Sequence, residues 1–198
     1  MQKLVIASAN KGKLRELSAL LEPLNFEVHT QSEFNVPEVE ETGTTFVENA
    51  IIKARNAARH TGLPAVADDS GIEVDALEGA PGVYSARFSG PDASDEQNNA
   101  LMVQKLRDVP EALRTARYKA VIVYMSHAGD PSPIICEGSW EGRIMLEPRG
   151  ENGFGYDPYF YVPTHGCHSA ELSAQEKNTI SHRGQALQKL REKLSALK

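Results

Sequence analysis

The stretch Pro64-Ala-Val-Ala-Asp68-Asp69-Ser70-Gly71 constrains this chain more than any other. A short apolar run without alternation is the pattern of a strand covered on both faces. It breaks off into two carboxylates, a hydroxyl and a glycine. That ending predicts a strand whose last residues emerge at the sheet's edge, where open α/β sheets hold their ligands. Two adjacent acids repel each other and are costly to desolvate unless a cation sits between them and a substrate. The plainer alternative is a solvated Asp-Asp-Ser-Gly turn.

Bulk properties narrow the classes. A chain of 198 residues with 40% hydrophobic content can build one substantial core or two lobes sharing a sheet. The net charge of −6 argues against a surface made for nucleic acid, so a polyanionic substrate needs locally clustered cations and a divalent metal. The longest apolar run, within 120–125, is too short to span a bilayer, and residues 1–9 lead into a strand rather than a signal peptide. No membrane association and a cytoplasmic location are therefore expected. Cys136 and Cys167 form no C-x-x-C pair and read as inert thiols. The cluster His165-Gly-Cys167-His168 lacks a fourth partner at zinc-site spacing.

Along the chain, regular elements alternate with polar knots. A strand near 3–9 runs into Ser8-Ala9-Asn10-Lys11-Gly12-Lys13, then a helix with Leu14, Leu17, Leu20 and Leu21 on one stripe. Strand, polar Gly/Lys loop and helix N-terminus is an arrangement that can hold an anion, although the same residues serve as ordinary caps and the Walker pattern is absent. Residues 31–44 read as acidic and irregular, with Glu38, Glu40 and Glu41. Thr45-Phe-Val-Glu48 is a capping box opening a helix to about His60, with a narrow apolar stripe and a polar stripe of Asn49, Lys53 and Asn56. Val83–Phe88 reads as extended or loop, and Ser94-Asp-Glu-Gln97 caps another helix. Ala116–Ser126 and Ile134–Gly142 form a hairpin that brings antiparallel strands into the sheet.

Gly150–Pro158 cannot be regular, and its glycines leave Phe154 as the large apolar group able to cover a flat ligand. Ser173-Ala-Gln-Glu176 caps a short helix carrying Lys177, and Ser181-His182-Arg183-Gly184 precedes the C-terminal helix. The expected architecture is α/β, with a mixed central β-sheet flanked by helices. Residues 1–198 then form a single domain of two lobes, with an active-site cleft between them.

The knots are chemically complementary. Asn10, Lys11, Lys13 and Lys53 could hold phosphates, and Glu40 or Glu41 with Asp68 and Asp69 could hold Mg²⁺. Phe154 could stack a base whose edge Asp157, Lys177, His182 and Arg183 read. Phosphate donors, hard oxygens and a stacking ring together point to a nucleoside triphosphate site. A pyrophosphatase for pyrimidine or modified nucleotides, and a nucleotide-sensing module without catalysis, share parts of this set.

Six motifs in order carry a resemblance over essentially the whole chain: 8–13, Glu40–Ala54, Ala67–Gly71, Gly82–Arg87, Gly153–Pro158 and Ile180–Leu187. They closely resemble the RdgB-type non-canonical purine NTP pyrophosphatases, the dITP/XTP or inosine triphosphate pyrophosphatase family. The resemblance implies a homodimeric, Mg²⁺-dependent hydrolase. Its members convert ITP, dITP and XTP to the monophosphate and pyrophosphate, keeping deaminated purines out of DNA and RNA. It implies no direct nucleic-acid binding. It also implies that Lys13 and Lys53 contact phosphate, with Ser8, Ala9, Asn10, Lys11 and Gly12 forming the phosphate loop. Ser8 and Ala9 stand where the family pattern has Thr-Gly. Asp69 is implied as the general base, with Asp68 a supporting acid, Ser70 beside the substrate, and the metal on Asp69 with Glu40 or Glu41. Phe154, Gly155, Tyr156, Asp157, Lys177, His182 and Arg183 are implied to line the nucleoside pocket.

Overall fold

The computed structural model describes residues 2–24 and 26–196. Its strands are β1 (Gln2–Ile6), β2 (Phe26–Thr30), β3 (Ala65–Val74), β4 (Thr115–Met125), β5 (Ile134–Ile144), β6 (Phe160–Val162) and β7 (Cys167–His168). They form one seven-stranded sheet in the order β2-β1-β3-β4-β5-β6-β7. β1 runs parallel to both β2 and β3, whereas β5/β6 and β6/β7 are antiparallel, so the sheet is mixed as expected. The helices are α1 (Lys11–Leu21), α2 (Phe46–Thr61), α3 (Asp95–Leu106), α4 (Ala174–Ile180) and α5 (His182–Ser195).

The chain clusters into two compact units, and the division falls within β3, β4 and β5. The first comprises Met1–Asp69, Ala120–Gly138 and Arg183–Lys198. Its strands show why the apolar runs do not alternate. Leu4, Ile6, Val66, Ala120 and Ile122 join a buried cluster with Leu17 and Leu21 of α1 and Leu187 and Leu190 of α5. Val5, Ala7, Ala65, Ala67, Val121 and Val123 join a second cluster with the alanine stripe of α2. Successive strand residues point to opposite faces, so helices on both sides demand apolar residues at every position. Ala50, Ala54, Ala57 and Ala58 are buried on α2, whose capping box at Thr45 and Glu48 forms as the sequence predicts. Larger side chains on that stripe would overpack it at about 1–3 kcal/mol.

The second unit comprises Ser70–Lys119 and Ser139–His182. Its core gathers Ile72, Val74, Met102, Leu106, Tyr118, Trp140, Ile144 and Phe160. Along β5, which both units share, the pattern does alternate, its buried positions at Cys136, Gly138, Trp140, Gly142 and Ile144 separated by more exposed ones.

Three expectations need correction. β3 does not stop at the acids but runs ten residues to Val74, placing Asp68-Asp69-Ser70-Gly71 inside a strand. Segment 82–87 is a 3-10 helix rather than extended. β2 is a strand that the sequence reading did not mark, because Phe-Glu-Val-His-Thr is a short, half-buried edge strand of mixed composition.

Candidate functional site

Among the described residues β1 pairs with β3 through Val5↔Ala65 and Ile6↔Val66, so Asp68 and Asp69 lie beyond the carboxyl end of β1. The loop after β1 starts at the same end, as ligand sites of parallel sheets require. Alternation then decides the fate of the two acids. Asp68 follows Val66 toward the face covered by α1 and α5, and Asp69 follows Ala67 toward the face covered by α2.

On the first face the Asp68 side chain is fully buried and meets Lys13 Nζ at 2.9 Å and Arg183 Nη2 at 3.2 Å. Arg183 also donates to Glu16. Burial alone would raise the Asp68 carboxyl, but Arg183 and Lys13 hold it well below the usual carboxylate range. Burial lowers the Lys13 ammonium despite the attraction of Asp68.

On the second face Lys53 Nζ lies 2.6 Å from Asp69 Oδ1 and 3.1 Å from Glu41 Oε1. Burial pushes the Asp69 carboxyl up against the pull of Lys53. Burial would lower Lys53, but Asp69 and Glu41 outweigh it and raise it. The two acids therefore do not share one cation. Each has its own.

The loop before α1 is built as a cap. Asn10 Oδ1 accepts from the Gly12 and Lys13 N–H groups at 2.9 and 3.0 Å, and Ser8 Oγ accepts from the Asn10 N–H. Ala9 and Lys11 are exposed, Gly12 is buried, and Ser8 is half-buried. Ser70 is half-buried in β3.

Metal fit rests on the second face. Among the described residues no three His, Cys, Asp or Glu side chains converge to hold an ion. Magnesium, however, is commonly held by one or two carboxylates with substrate phosphates and water completing the shell. Asp69 Oδ2 is buried with no hydrogen-bond partner among the described residues, and Lys53 already places positive charge between Asp69 and Glu41. These hard oxygens fit a small divalent cation. Glu40 is exposed, whereas Glu41 faces this cluster.

The second unit assembles the other knot. Gly153 and Gly155 adopt φ values of +80° and +63°, which favour glycine, and a Cβ on Gly153 would fall 2.0 Å from Asp157 Oδ2. That oxygen accepts from the Phe154 N–H at 2.9 Å and from Lys177 Nζ at 2.6 Å, while Oδ1 accepts from Ser169. Asp157 is thus a buried organiser of the turn. Lys177 Nζ also lies 5.0 Å from the centroid of the half-buried Phe154 ring. Tyr156 points inward, its hydroxyl donating to the Ser85 carbonyl at 2.7 Å, and burial pushes its phenol well up. The His182 ring stacks on Tyr118 at 4.7 Å and 9° and lies 6.3 Å from Trp140.

Phe154, Asp157 and Lys177 are therefore in mutual contact, whereas the Arg183 guanidinium belongs with Asp68, Lys13 and Glu16. Sequence reasoning missed Glu16, Tyr118 and Trp140. Glu16 sits one helical turn beyond Lys13 on α1, a spacing that could have flagged it.

With this geometry in place, comparison with known proteins becomes decisive. The model of the Ham1 family matches residues 4–193. The chain belongs to the Ham1 family. A dITP/XTP pyrophosphatase of Vibrio parahaemolyticus serotype O3:K6 is 60% identical over 196 residues, covering 99% of this chain and 98% of its own. The dITP/XTP pyrophosphatase of Escherichia coli O157:H7 is 56% identical over 190 residues, 96% of each chain. A HAM1 protein of Coxiella burnetii superposes with a TM-score of 0.91 at 52% identity, covering 99% of this chain and all of that one. A nucleoside-triphosphatase / dITP/XTP pyrophosphatase of Mycobacterium abscessus gives 0.75 at 44% identity, covering 96% and 98%. The Ham1 fold accounts for the mixed sheet and its flanking helices. Among the described residues of this Ham1 chain, no helix is long and apolar enough to cross a membrane.

Proposed function

We propose that this Ham1 chain hydrolyses the non-canonical purine nucleoside triphosphates ITP, dITP and XTP to the monophosphate and pyrophosphate, keeping deaminated purines out of DNA and RNA. The observation that carries this reading is Asp69: a buried carboxylate with a raised pKa, one oxygen on Lys53 and the other without a partner. Water attacks the α-phosphorus, Asp69 aims it and takes its proton, and the bond from the α-phosphorus to the bridging oxygen breaks as pyrophosphate leaves. Lys13 and Lys53 offset charge on the phosphates. Mg²⁺, held by Asp69 and Glu41, supplies further charge neutralisation when bound.

Base recognition falls to the second unit. Phe154 offers its face to the purine, and Lys177 is a charged donor beside that ring. Such a donor suits the O6 acceptor of hypoxanthine and xanthine and opposes the amino group of adenine. Arg183, ion-paired with Asp68 and Glu16, acts in this reading as a structural counter-ion of Asp68 rather than as a reader of the base edge. The names of its relatives, dITP/XTP pyrophosphatases, support the substrate class, and homodimeric assembly in the cytoplasm belongs to the same reading.

Product identity tests it. Incubation of ITP with the protein and Mg²⁺ should yield inosine monophosphate and pyrophosphate in equal amounts. Release of orthophosphate with the diphosphate would place attack at the γ-phosphorus and overturn the mechanism.

A further inference from the structure

The adjacent asparagines Asn98 and Asn99 of α3 belong to no part of the site described above, yet both are buried. Asn98 ties down residues 86–89, accepting from the Ser89 N–H and donating to the Ala86 carbonyl. Asn99 acts elsewhere. Its Nδ2 donates to the Gly155 carbonyl at 2.9 Å, and one turn earlier on the same helix Asp95 Oδ2 accepts from the Gly155 N–H at 2.7 Å. Both backbone groups of a single glycine are thus held by one helix.

Gly155 follows Phe154 directly. The 153–155 segment forms one wall of a pocket of about 390 Å³ whose other walls include Asp95, Asn99, Pro148 and Tyr159. With open space behind it and glycines on either side, the Phe154 backbone is fixed by hydrogen bonds more than by packing. The Asp157 carboxylate holds it from one side, and α3 holds it from the other.

We infer that Asp95 and Asn99 are positioning residues that clamp Gly155 and thereby set the Phe154 ring against the purine. The inference rests on the base-stacking role proposed above for Phe154. Since the purine base takes no part in the bond changes at the α-phosphorus, losing the ring's pose weakens binding of substrate and transition state alike. That raises KM and spares kcat.

Asp95 is an exposed residue in the first turn of α3, so Asp95→Ala leaves the core intact. Its KM for ITP should rise about tenfold, the size of one charge-assisted hydrogen bond, with kcat within about twofold of wild type. Asp95→Asn, whose amide oxygen can still accept from Gly155, should recover most of the loss. Asn99→Ala should shift KM in the same direction, with thermal unfolding reporting any structural damage. In a double-mutant cycle, Asp95→Ala should add little to Phe154→Ala, because the ring it positions is gone. Wild-type protein that releases pyrophosphate from ITP, combined with an unchanged KM in Asp95→Ala or full additivity with Phe154→Ala, overturns the clamp and leaves the functional reading standing. Wild-type protein without ITP turnover overturns both.

Discussion

Asp68 and Asp69 are neighbours in the chain but face opposite sides of the sheet, and each meets a different set of cations. That divergence gives two adjacent acids two opposite protonation tendencies. Asp68, neutralised by Lys13 and Arg183, is held ionised, while Asp69 is pushed toward basicity by burial. In the proposed mechanism one builds the site and the other does its chemistry.

Asp69→Asn keeps the shape and loses the charge. Turnover of ITP should fall by about 10²–10⁴-fold, the usual span for a general base. Calorimetry should still detect ITP binding. A variant with near-normal turnover would remove Asp69 from the mechanism.

In the proposed site Lys53 pairs with Asp69 Oδ1 and Glu41 Oε1, so its ammonium would repel a divalent ion held by the same two carboxylates. Lys53→Ala should therefore bind Mn²⁺ more tightly than wild type when no nucleotide is present, measured by electron paramagnetic resonance. Its ITP turnover should nonetheless fall about 10²–10³-fold through lost phosphate stabilisation. Equal Mn²⁺ affinity in the two proteins would separate Lys53 from the metal site.

Removing Arg183 takes away one of the two cations that neutralise the fully buried Asp68 carboxylate, leaving it to Lys13 alone. Arg183→Ala should cost about 3–5 kcal/mol of stability by chemical denaturation. A variant of unchanged stability that selectively loses purine discrimination would return Arg183 to the base edge.

His29 and Glu33 form a pH-sensitive pair on the surface, joined at 2.9 Å. The Thr30 N–H, with His29, holds Glu33 at about 2, and Glu33 raises the His29 imidazole above its ordinary value. The Glu33 contribution is present above its unfolded value near 4.5 and fades as pH falls toward about 2. The His29 contribution is present below about 6.5 and fades as pH rises through its folded value. Both operate between those limits. Proton NMR should show His29 titrating above its usual value, and Glu33→Gln should lower it. An unshifted His29 would show the pair is not formed in solution.

Much of this was legible in the sequence because the signals are local. Three capping motifs, at Thr45, Ser94 and Ser173, and the two-face apolar strands announce themselves within a few residues. The candidate site was legible as residue types but not as groupings. Asp68 and Asp69 read as one repelling pair, because β3 was expected to end there. Once the strand continues, alternation sends them apart. Arg183 read as a partner of His182 for the same reason: chain adjacency says nothing about where a guanidinium at a helix start will reach. Its contact with Asp68 spans 115 positions, a pairing set by packing of α5 on the sheet.

The most direct test of the account is catalytic efficiency across a panel of triphosphates with Mg²⁺, read by pyrophosphate release. ITP, dITP and XTP should exceed ATP, whose amino group opposes the Lys177 donor, by orders of magnitude, on the order of 10⁴-fold where a buried polar edge is opposed. Comparable use of ATP, or a preference for a pyrimidine triphosphate, would contradict the purine reading at its centre.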